Sequence, residues 1–126
     1  MSSLELDAEV EPHTKLGTAF RLLDPVFAYF VWAAHFLIVY VGAALACVLG
    51  LGSASSGARA AFIAALVIVT LAAAAMVIMH ALRRYRQFHD TEDQGFRLSI
   101  TLGNSAIATV GIVWQLFPIL LVPLCA

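Results

Sequence analysis

Charged side chains are scarce in this sequence and are missing from three long stretches. Only 12% of the 126 residues are Asp, Glu, Lys or Arg, whereas about 25% are charged in an average soluble domain. No formally charged residue occurs in residues 25–58, 60–82 or 98–126. Each stretch exceeds the roughly 20 apolar residues that a helix needs to cross a hydrocarbon core. Because backbone in lipid must satisfy its own hydrogen bonds, we predict an all-α membrane protein with three transmembrane helices.

Motifs for catalysis and redox chemistry are also missing. The chain has two cysteines but no CxxC or CxxCH motif, which excludes covalent c-type haem and dithiol redox chemistry. It offers no nucleophile with a base, no pair of acids and no phosphate-binding loop. We therefore expect that the protein is not an enzyme, and we expect no nucleic-acid partner.

Hydropathy and charge divide the chain into three parts. Residues 1–14 are acidic and polar, which predicts a disordered tail. Residues 15–24 carry apolar side chains at helical spacing and predict an interfacial segment. Residues 25–124 form the transmembrane domain. The predicted helices are at about 25–49, 60–82 and 98–124. Acidic residues stand where a secretory signal carries basic ones, so we expect the first helix to act as a permanent signal-anchor.

The basic residues predict the orientation in the membrane. With three crossings, the N-terminal tail and the connection between the second and third helices share one side. Six of the seven Lys and Arg residues fall on that side, and only Arg59 falls on the other. The positive-inside rule then places the N-terminus in the cytoplasm and the C-terminus in the periplasm of a bacterial inner membrane. The interfacial basic residues of the inner connection are Arg83, Arg84, Arg86 and Arg97. This connection is either an ordinary basic hairpin or a docking surface for a neighbouring subunit.

His35 is expected close to the middle of the membrane. It follows Pro25 by ten residues, which corresponds to a depth of about 15 Å. One interpretation is a neutral imidazole that bonds to a threonine hydroxyl or a backbone carbonyl of a neighbouring helix. The alternative is a haem or metal ligand, with the second ligand supplied by another copy or by a partner. His80 lies at the level of Asn104, and we expect these two to hold the second helix to the third.

The periplasmic ends of the first and third helices carry the two cysteines. Cys47 and Cys125 are expected at similar depth, in a compartment that permits a disulfide bond. The alternative is that they are small apolar residues that pack without bonding. Pro118 cannot donate to the Trp114 carbonyl, so we expect a kink in the outer half of the third helix.

Small residues at four-residue spacing predict contacts between helices. On the first helix, Gly42, Ala46 and Gly50 form such a series, which lets backbones approach closely. The alanine-rich second helix has similar faces. The third helix offers Gly103, Ser105, Ala108 and Gly111.

The first helix also carries the pattern Trp32-x-x-His35-Phe36, which continues to Tyr40 and Cys47. This pattern, with the three-span layout, resembles small bacterial membrane proteins associated with haem-copper (cytochrome c oxidase-type) terminal oxidases. The resemblance implies an accessory or assembly component of a respiratory oxidase. The contact face predicted on the first helix comprises Trp32, His35, Tyr40, Gly42 and Ala46.

The leading hypothesis is therefore a non-catalytic accessory subunit or assembly factor of a larger inner-membrane complex, without a cofactor of its own. Its partners would be membrane lipid and other membrane subunits. Two alternatives stay open. One is a haem- or metal-binding membrane protein that uses His35. The other is a homo-oligomeric transporter of a small solute, since three helices cannot enclose a pore without oligomerising.

Overall fold

A computed structural model shows the chain as a helical bundle. It describes residues 22–90, 95–123 and 125, so the predicted tail and most of the predicted interfacial segment lie outside the described residues. The α-helices in that part of the chain are α1 (Phe27–Val48), α2 (Ser56–Phe88), α3 (Gly95–Trp114) and α4 (Leu116–Leu121). Short 3-10 turns at Asp24–Val26 and Leu51–Ser53 precede α1 and α2.

These helices make three segments that are long and apolar enough to cross a membrane. The first span is Asp24–Val48, the second is Ser56–Phe88 and the third, which contains α3 and α4, is Gly95–Leu121. The predicted fold class, an all-α protein with three transmembrane helices, is confirmed. The chain is a multi-pass membrane protein.

The second span is longer than its hydropathy predicted. The expected helix covered 60–82, but the observed helix has 33 residues, or about 50 Å at 1.5 Å per residue, against a hydrocarbon core of roughly 30 Å. Hydropathy detects only the part of a helix that lies in lipid, whereas backbone hydrogen bonding continues beyond it. The extension places the Arg83–Arg86 segment on the helix itself.

Local sequence determines where the helices begin and end. Gly50 has a left-handed backbone conformation with φ 79°, which glycine adopts without steric cost, and this conformation ends α1. The Ser55 hydroxyl accepts a hydrogen bond from the backbone N–H three residues on, at 3.3 Å, and caps α2. Gln115 separates α3 from α4. This interruption agrees with the expected effect of Pro118, which leaves the Trp114 carbonyl without its helical donor.

The core lies where the three spans meet and consists mainly of small side chains. Val77 and Ile112 are fully buried. The residues packed around them are Ala28, Ala73, Ala74 and Ala108. Alanine allows backbones to approach closely, so dispersion contacts form along the whole length of the contact. The alanine run of the second span therefore supplies much of the core.

Only some of the other small residues predicted to lie at helix contacts face another span of the chain. Ala46 is 2% exposed, and Gly42 lies beside the second span, where a Cβ would be 3.9 Å from Leu66. Gly50, in contrast, lies beyond the end of α1. A Cβ on Gly103 would meet no described atom within 4 Å. Within the chain, Gly50 and Gly103 therefore do not make the expected helix contacts, because spacing alone does not tell which side of a helix faces its neighbour.

Candidate functional site

His35 and Thr70 join the first and second spans in the interior of the bundle. His35 is 2% exposed and Thr70 is 0% exposed, and His35 Nε2 lies 2.9 Å from Thr70 Oγ1. The Thr70 hydroxyl donates to the Leu66 carbonyl oxygen at 2.8 Å. Because a hydroxyl has a single proton, Oγ1 must accept its second hydrogen bond, from His35 Nε2–H. This contact is the histidine–threonine interaction that the sequence offered as one of two interpretations.

The second ring nitrogen of His35, Nδ1, is buried without a hydrogen-bond partner among the described residues. With the proton on Nε2, Nδ1 of the neutral ring is an acceptor. The Gln115 side chain interacts with the imidazole, but the contact falls short of hydrogen-bond geometry, so buried Nδ1 and buried Gln115 Oε1 both lack a partner among the described residues. The sequence marked Gln115 as a polar residue within the third span but gave it no partner.

These contacts bear on the possibility that His35 is a ligand. Nε2–H is engaged with Thr70, so a metal or haem iron would have to approach Nδ1. That atom is buried next to Gln115, and ligation would displace the Gln115 side chain. Within the described part of the chain, no group of three or more His, Cys, Asp or Glu side chains is arranged to hold a metal ion.

A second polar cluster surrounds Asp24 at the end of the bundle where the first span begins. The Asp24 carboxylate is 2.8 Å from Arg84 Nη2 and 3.6 Å from Arg97 Nη2. His80 Nε2 is 3.8 Å from the same carboxylate, and the His80 ring packs on Phe27 with 4.3 Å between centroids. The Asp24 side chain is only 12% exposed. A single carboxylate thus connects all three spans.

Asp24 is the important residue that sequence analysis missed. The signal was a lone acidic residue at the lipid boundary, on the side that carries most of the basic residues. Opposite charges attract more strongly at such a boundary than in water. Arg84 and Arg97 were predicted as interfacial residues and bind Asp24 within the bundle, whereas Arg83 and Arg86 are exposed.

Asn104 holds the third span to the first and not to the second. Its Nδ2 donates to the Pro25 carbonyl oxygen at 2.7 Å, and the Tyr29 hydroxyl donates to its Oδ1 at 3.3 Å. The predicted contact between His80 and Asn104 is therefore wrong. Equal depth on two helices does not determine where side chains point, and His80 lies beside Asp24 instead.

The predicted contact face of the first span is divided between the interior and the surface. His35 and Ala46 are 2% exposed and face the protein's own helices. Trp32 is 39% exposed and Tyr40 is 67% exposed, so only these two of the set clearly reach the outer surface. The inner edge of Trp32 covers Gly111, where a Cβ would lie 3.0 Å from the indole Nε1.

Trp32, Phe36 and Tyr40 form an aromatic ridge along the outside of the first span. Their four-residue spacing places them one above another on the helix. Ring centroids are 6.1 Å apart in both neighbouring pairs, and both pairs are stacked. All three side chains are exposed. The protein's own helices therefore leave this ridge uncovered.

A disulfide bond joins Cys47 to Cys125, with their Cα atoms 5.3 Å apart. Cys47 is in the last turn of α1, and Cys125 lies beyond the end of α4. Of the two alternatives that the sequence left open, the structure contains the bridge. The bond ties the end of the first span to the segment that follows the third span.

The fold and these contacts define a three-span membrane protein whose polar side chains connect its own helices. Comparison with known proteins found no matching family, no matching curated protein and no matching solved structure. The function must therefore be inferred from the residues of this chain.

Proposed function

We propose that the protein is a non-catalytic accessory subunit or assembly factor of a larger complex in the bacterial inner membrane. The observation that supports this function is the aromatic ridge. In the most apolar stretch of the first span, 11% of the residues are buried in the bundle, against 22% in each of the other two spans. The first span thus has the smallest buried share of the three, and stacked aromatic rings give large, well-defined contact areas to a neighbouring subunit.

A haem-copper terminal oxidase is the complex that the sequence resemblance implies. Trp32 and Tyr40 belong both to the resembling pattern and to the aromatic ridge. We infer that the ridge packs against a transmembrane helix of a respiratory oxidase subunit, while the buried His35 holds the first span to the second. In this proposal the histidine shapes the contact surface without touching the partner.

The orientation is part of the proposal, with the Asp24 end in the cytoplasm and the disulfide end in the periplasm. Exposed Arg83 and Arg86 suit the anionic headgroups of a cytoplasmic leaflet. The Cys47–Cys125 bond suits an oxidising compartment. These two arguments are independent of each other and favour the same orientation.

Single-cysteine labelling in intact cells tests the orientation. Both native cysteines are first replaced (Cys47→Ala, Cys125→Ala). The two matched variants in that background are Gly52→Cys, in the exposed connection after α1, and Asp90→Cys, in the exposed segment after α2. A membrane-impermeant maleimide should label Gly52→Cys directly and Asp90→Cys only after permeabilisation. The reverse pattern would contradict the proposed orientation.

Co-purification tests the proposed partner. The tagged protein is isolated from native membranes in mild detergent, the accompanying chains are identified, and the visible spectrum is recorded. We expect oxidase subunits in fixed ratio with the wild type and their loss with the double variant Phe36→Ala, Tyr40→Ala. A matched control is Ile68→Ala, Leu71→Ala, two exposed residues of the second span, which should retain the partners.

The same preparation distinguishes the alternatives. A Soret band that is lost in His35→Ala, in the absence of partner chains, would replace the accessory-subunit proposal with a haem-binding function. Recovery of a colourless homo-oligomer would favour a transporter of a small solute. Equal retention of partners by the ridge variant and its control would show that the aromatic ridge is not the contact surface.

A further inference from the structure

An apolar groove opens between the first and third spans beside the disulfide bond. Its volume is about 350 Å³. A dry cavity of roughly 150 Å³ is enough to hold benzene, so the groove has room for an aromatic ring and part of an alkyl chain. Phe36, Val39 and Ile119 contribute to its apolar walls, and Gln115 is its one amide-bearing residue. The position of that amide makes this groove chemically different from the others on the bundle.

The Gln115 side chain contributes to the groove wall and carries an unsatisfied acceptor. Buried Gln115 Oε1 and buried His35 Nδ1 have no hydrogen-bond partner among the described residues. The Thr70 hydroxyl fixes the His35 proton on Nε2, so Nδ1 is an acceptor like Oε1. His35 Nδ1 and Gln115 Oε1 are therefore two buried acceptors, and neither has a donor. Leaving such groups unsatisfied in an apolar interior is costly.

Reorienting the Gln115 amide still leaves one acceptor without a hydrogen-bond donor. If Nε2 of Gln115 donates to His35 Nδ1, then Oε1 turns towards the groove and needs a donor there. The groove wall contains one hydroxyl, that of Tyr40, but the Tyr40 side chain is 67% exposed and makes no hydrogen bond to Gln115 in the structure. The reoriented amide thus satisfies His35 Nδ1 and leaves Oε1 at the groove wall as an acceptor that a donor from outside the chain would satisfy.

The other buried polar side chains that lack a hydrogen-bond partner do not need a donor from outside the chain. Ser105 Oγ is also buried without a partner, next to a groove between the second and third spans. A serine hydroxyl can rotate and donate to the carbonyl one turn earlier in its own helix. His80 has the carboxylate of Asp24 beside it. Among the residues that the structure describes, Gln115 is the one that combines space for a ligand with an acceptor that its own helix cannot satisfy.

We propose that this groove binds an apolar molecule that carries a hydroxyl group, with the Gln115 amide reoriented. In that orientation Nε2 donates to His35 Nδ1, Oε1 accepts from the ligand hydroxyl, and the hydrocarbon fills the space between the first and third spans. The shared chemistry is that of alkylphenols and long-chain alcohols. This ligand site goes beyond the accessory-subunit function and does not depend on it, since the aromatic ridge presents its outer face to a partner whether or not the groove is filled.

Binding of a matched pair of probes tests the site. The full chain in nanodiscs is titrated with radiolabelled 4-dodecylphenol, and uptake by empty nanodiscs is subtracted. We expect saturable binding, with competition by unlabelled 4-dodecylphenol about tenfold stronger than by 4-dodecylanisole, the methyl ether that lacks the donor. Competition by 1-dodecanol at the strength of the phenol would identify an aliphatic hydroxyl as sufficient, and competition at the strength of the ether would restrict the site to phenols.

Two variants assign the recognition to Gln115. Gln115→Met should weaken phenol binding to the level of the ether and leave ether binding unchanged, whereas Tyr40→Phe should preserve the discrimination. Lack of saturable binding, or equal competition by phenol and ether in the wild type, would overturn the proposal without using any variant. Loss of discrimination in Tyr40→Phe would also overturn it, by assigning the hydroxyl contact to Tyr40. Partner co-purification should be unaffected by Gln115→Met, so failure here and failure of the accessory-subunit proposal are distinguishable.

Discussion

The two ends of the bundle are held together by different chemistry. At the end where the first span begins, Asp24 binds Arg84 and Arg97 from the other two spans. At the opposite end, a covalent bond between Cys47 and Cys125 joins the first and third spans. The Asp24 end therefore depends on charge and on local dielectric, while the disulfide end depends on the redox state of its compartment.

The two ends also differ in how closely their helices are packed. The Asp24 end is tightly connected by side-chain contacts, including the Asn104 hydrogen bond to the Pro25 carbonyl. The disulfide end is interrupted at Gln115 and contains the apolar groove. A covalent link holds the helices together where noncovalent packing is looser. This small bundle is therefore not uniformly packed, and substitutions at each end can test the difference.

The largest effect is expected from Asp24→Asn. This change removes the carboxylate but leaves two arginine side chains with restricted access to water. We expect a loss of about 3 kcal/mol in the free energy of unfolding, the low end for a broken buried ion pair, because the arginines are about one third exposed. Steric trapping in bicelles measures this free energy of unfolding. Asp90→Asn is the matched control, since that side chain is 87% exposed; equal losses in both variants would contradict the role of Asp24.

Loss of the disulfide bond should have the next largest effect. We expect Cys47→Ala to reduce the free energy of unfolding by about 2 kcal/mol, the low end for a disulfide, because a chain anchored in a bilayer is already constrained when unfolded. Cys125→Ala and the double variant should match it, since each removes the same bond. A mobility shift on reduction that is absent in Cys47→Ser verifies the bridge. Additive losses in the double variant would show that the cysteines act separately.

A smaller effect is expected at the centre of the bundle, between the two ends. Thr70→Val retains the shape but leaves His35 Nε2–H without an acceptor, which should cost about 1 kcal/mol, as for other hydrogen bonds between membrane helices. Thr109→Val is the matched control, because the Thr109 hydroxyl donates to the Ser105 carbonyl within its own helix. If both variants unfold with the same free energy, the His35–Thr70 hydrogen bond contributes no net stability. Comparing His35→Leu, Thr70→Val and the double variant measures the coupling free energy between these two side chains.

The smallest effect is expected for glycines of the third span. Gly111→Ala adds a Cβ 3.0 Å from Trp32 Nε1, so the ring must move, and we expect a loss below about 1 kcal/mol. Gly103→Ala meets no described atom within 4 Å and should be neutral or slightly stabilising through helix propensity. Thermal unfolding in detergent compares the two variants. A larger loss in Gly103→Ala would contradict the observed packing of the third span.

The sequence predicted the fold better than the site. Three stretches without charge predicted three spans, because burying a charge in lipid costs more than any local preference can offset. The helix-breaking effect of Pro118 was also local and was anticipated. His35 and a threonine partner were anticipated from depth alone, as one interpretation of two. His80 was assigned to Asn104 by the same depth argument and lies beside Asp24 instead.

The missed contacts share a physical reason. Asp24 and Gln115 acquire their importance from side chains on other spans, and the rotation of each helix about its axis decides which side chains meet. Charge-free sequence contains little information about that rotation, since lipid and protein are both apolar surroundings.

The three-span architecture and the approximate depth of each residue thus follow from local sequence, because the cost of moving charge into lipid acts on each residue separately. The folded bundle is needed to see that Asp24 connects all three spans, that Cys47 and Cys125 are joined, and that Gln115 lies close to His35 beside a groove. These contacts depend on helix rotation and on the break at Gln115, which are settled when alanines, Val77 and Ile112 pack together in the core.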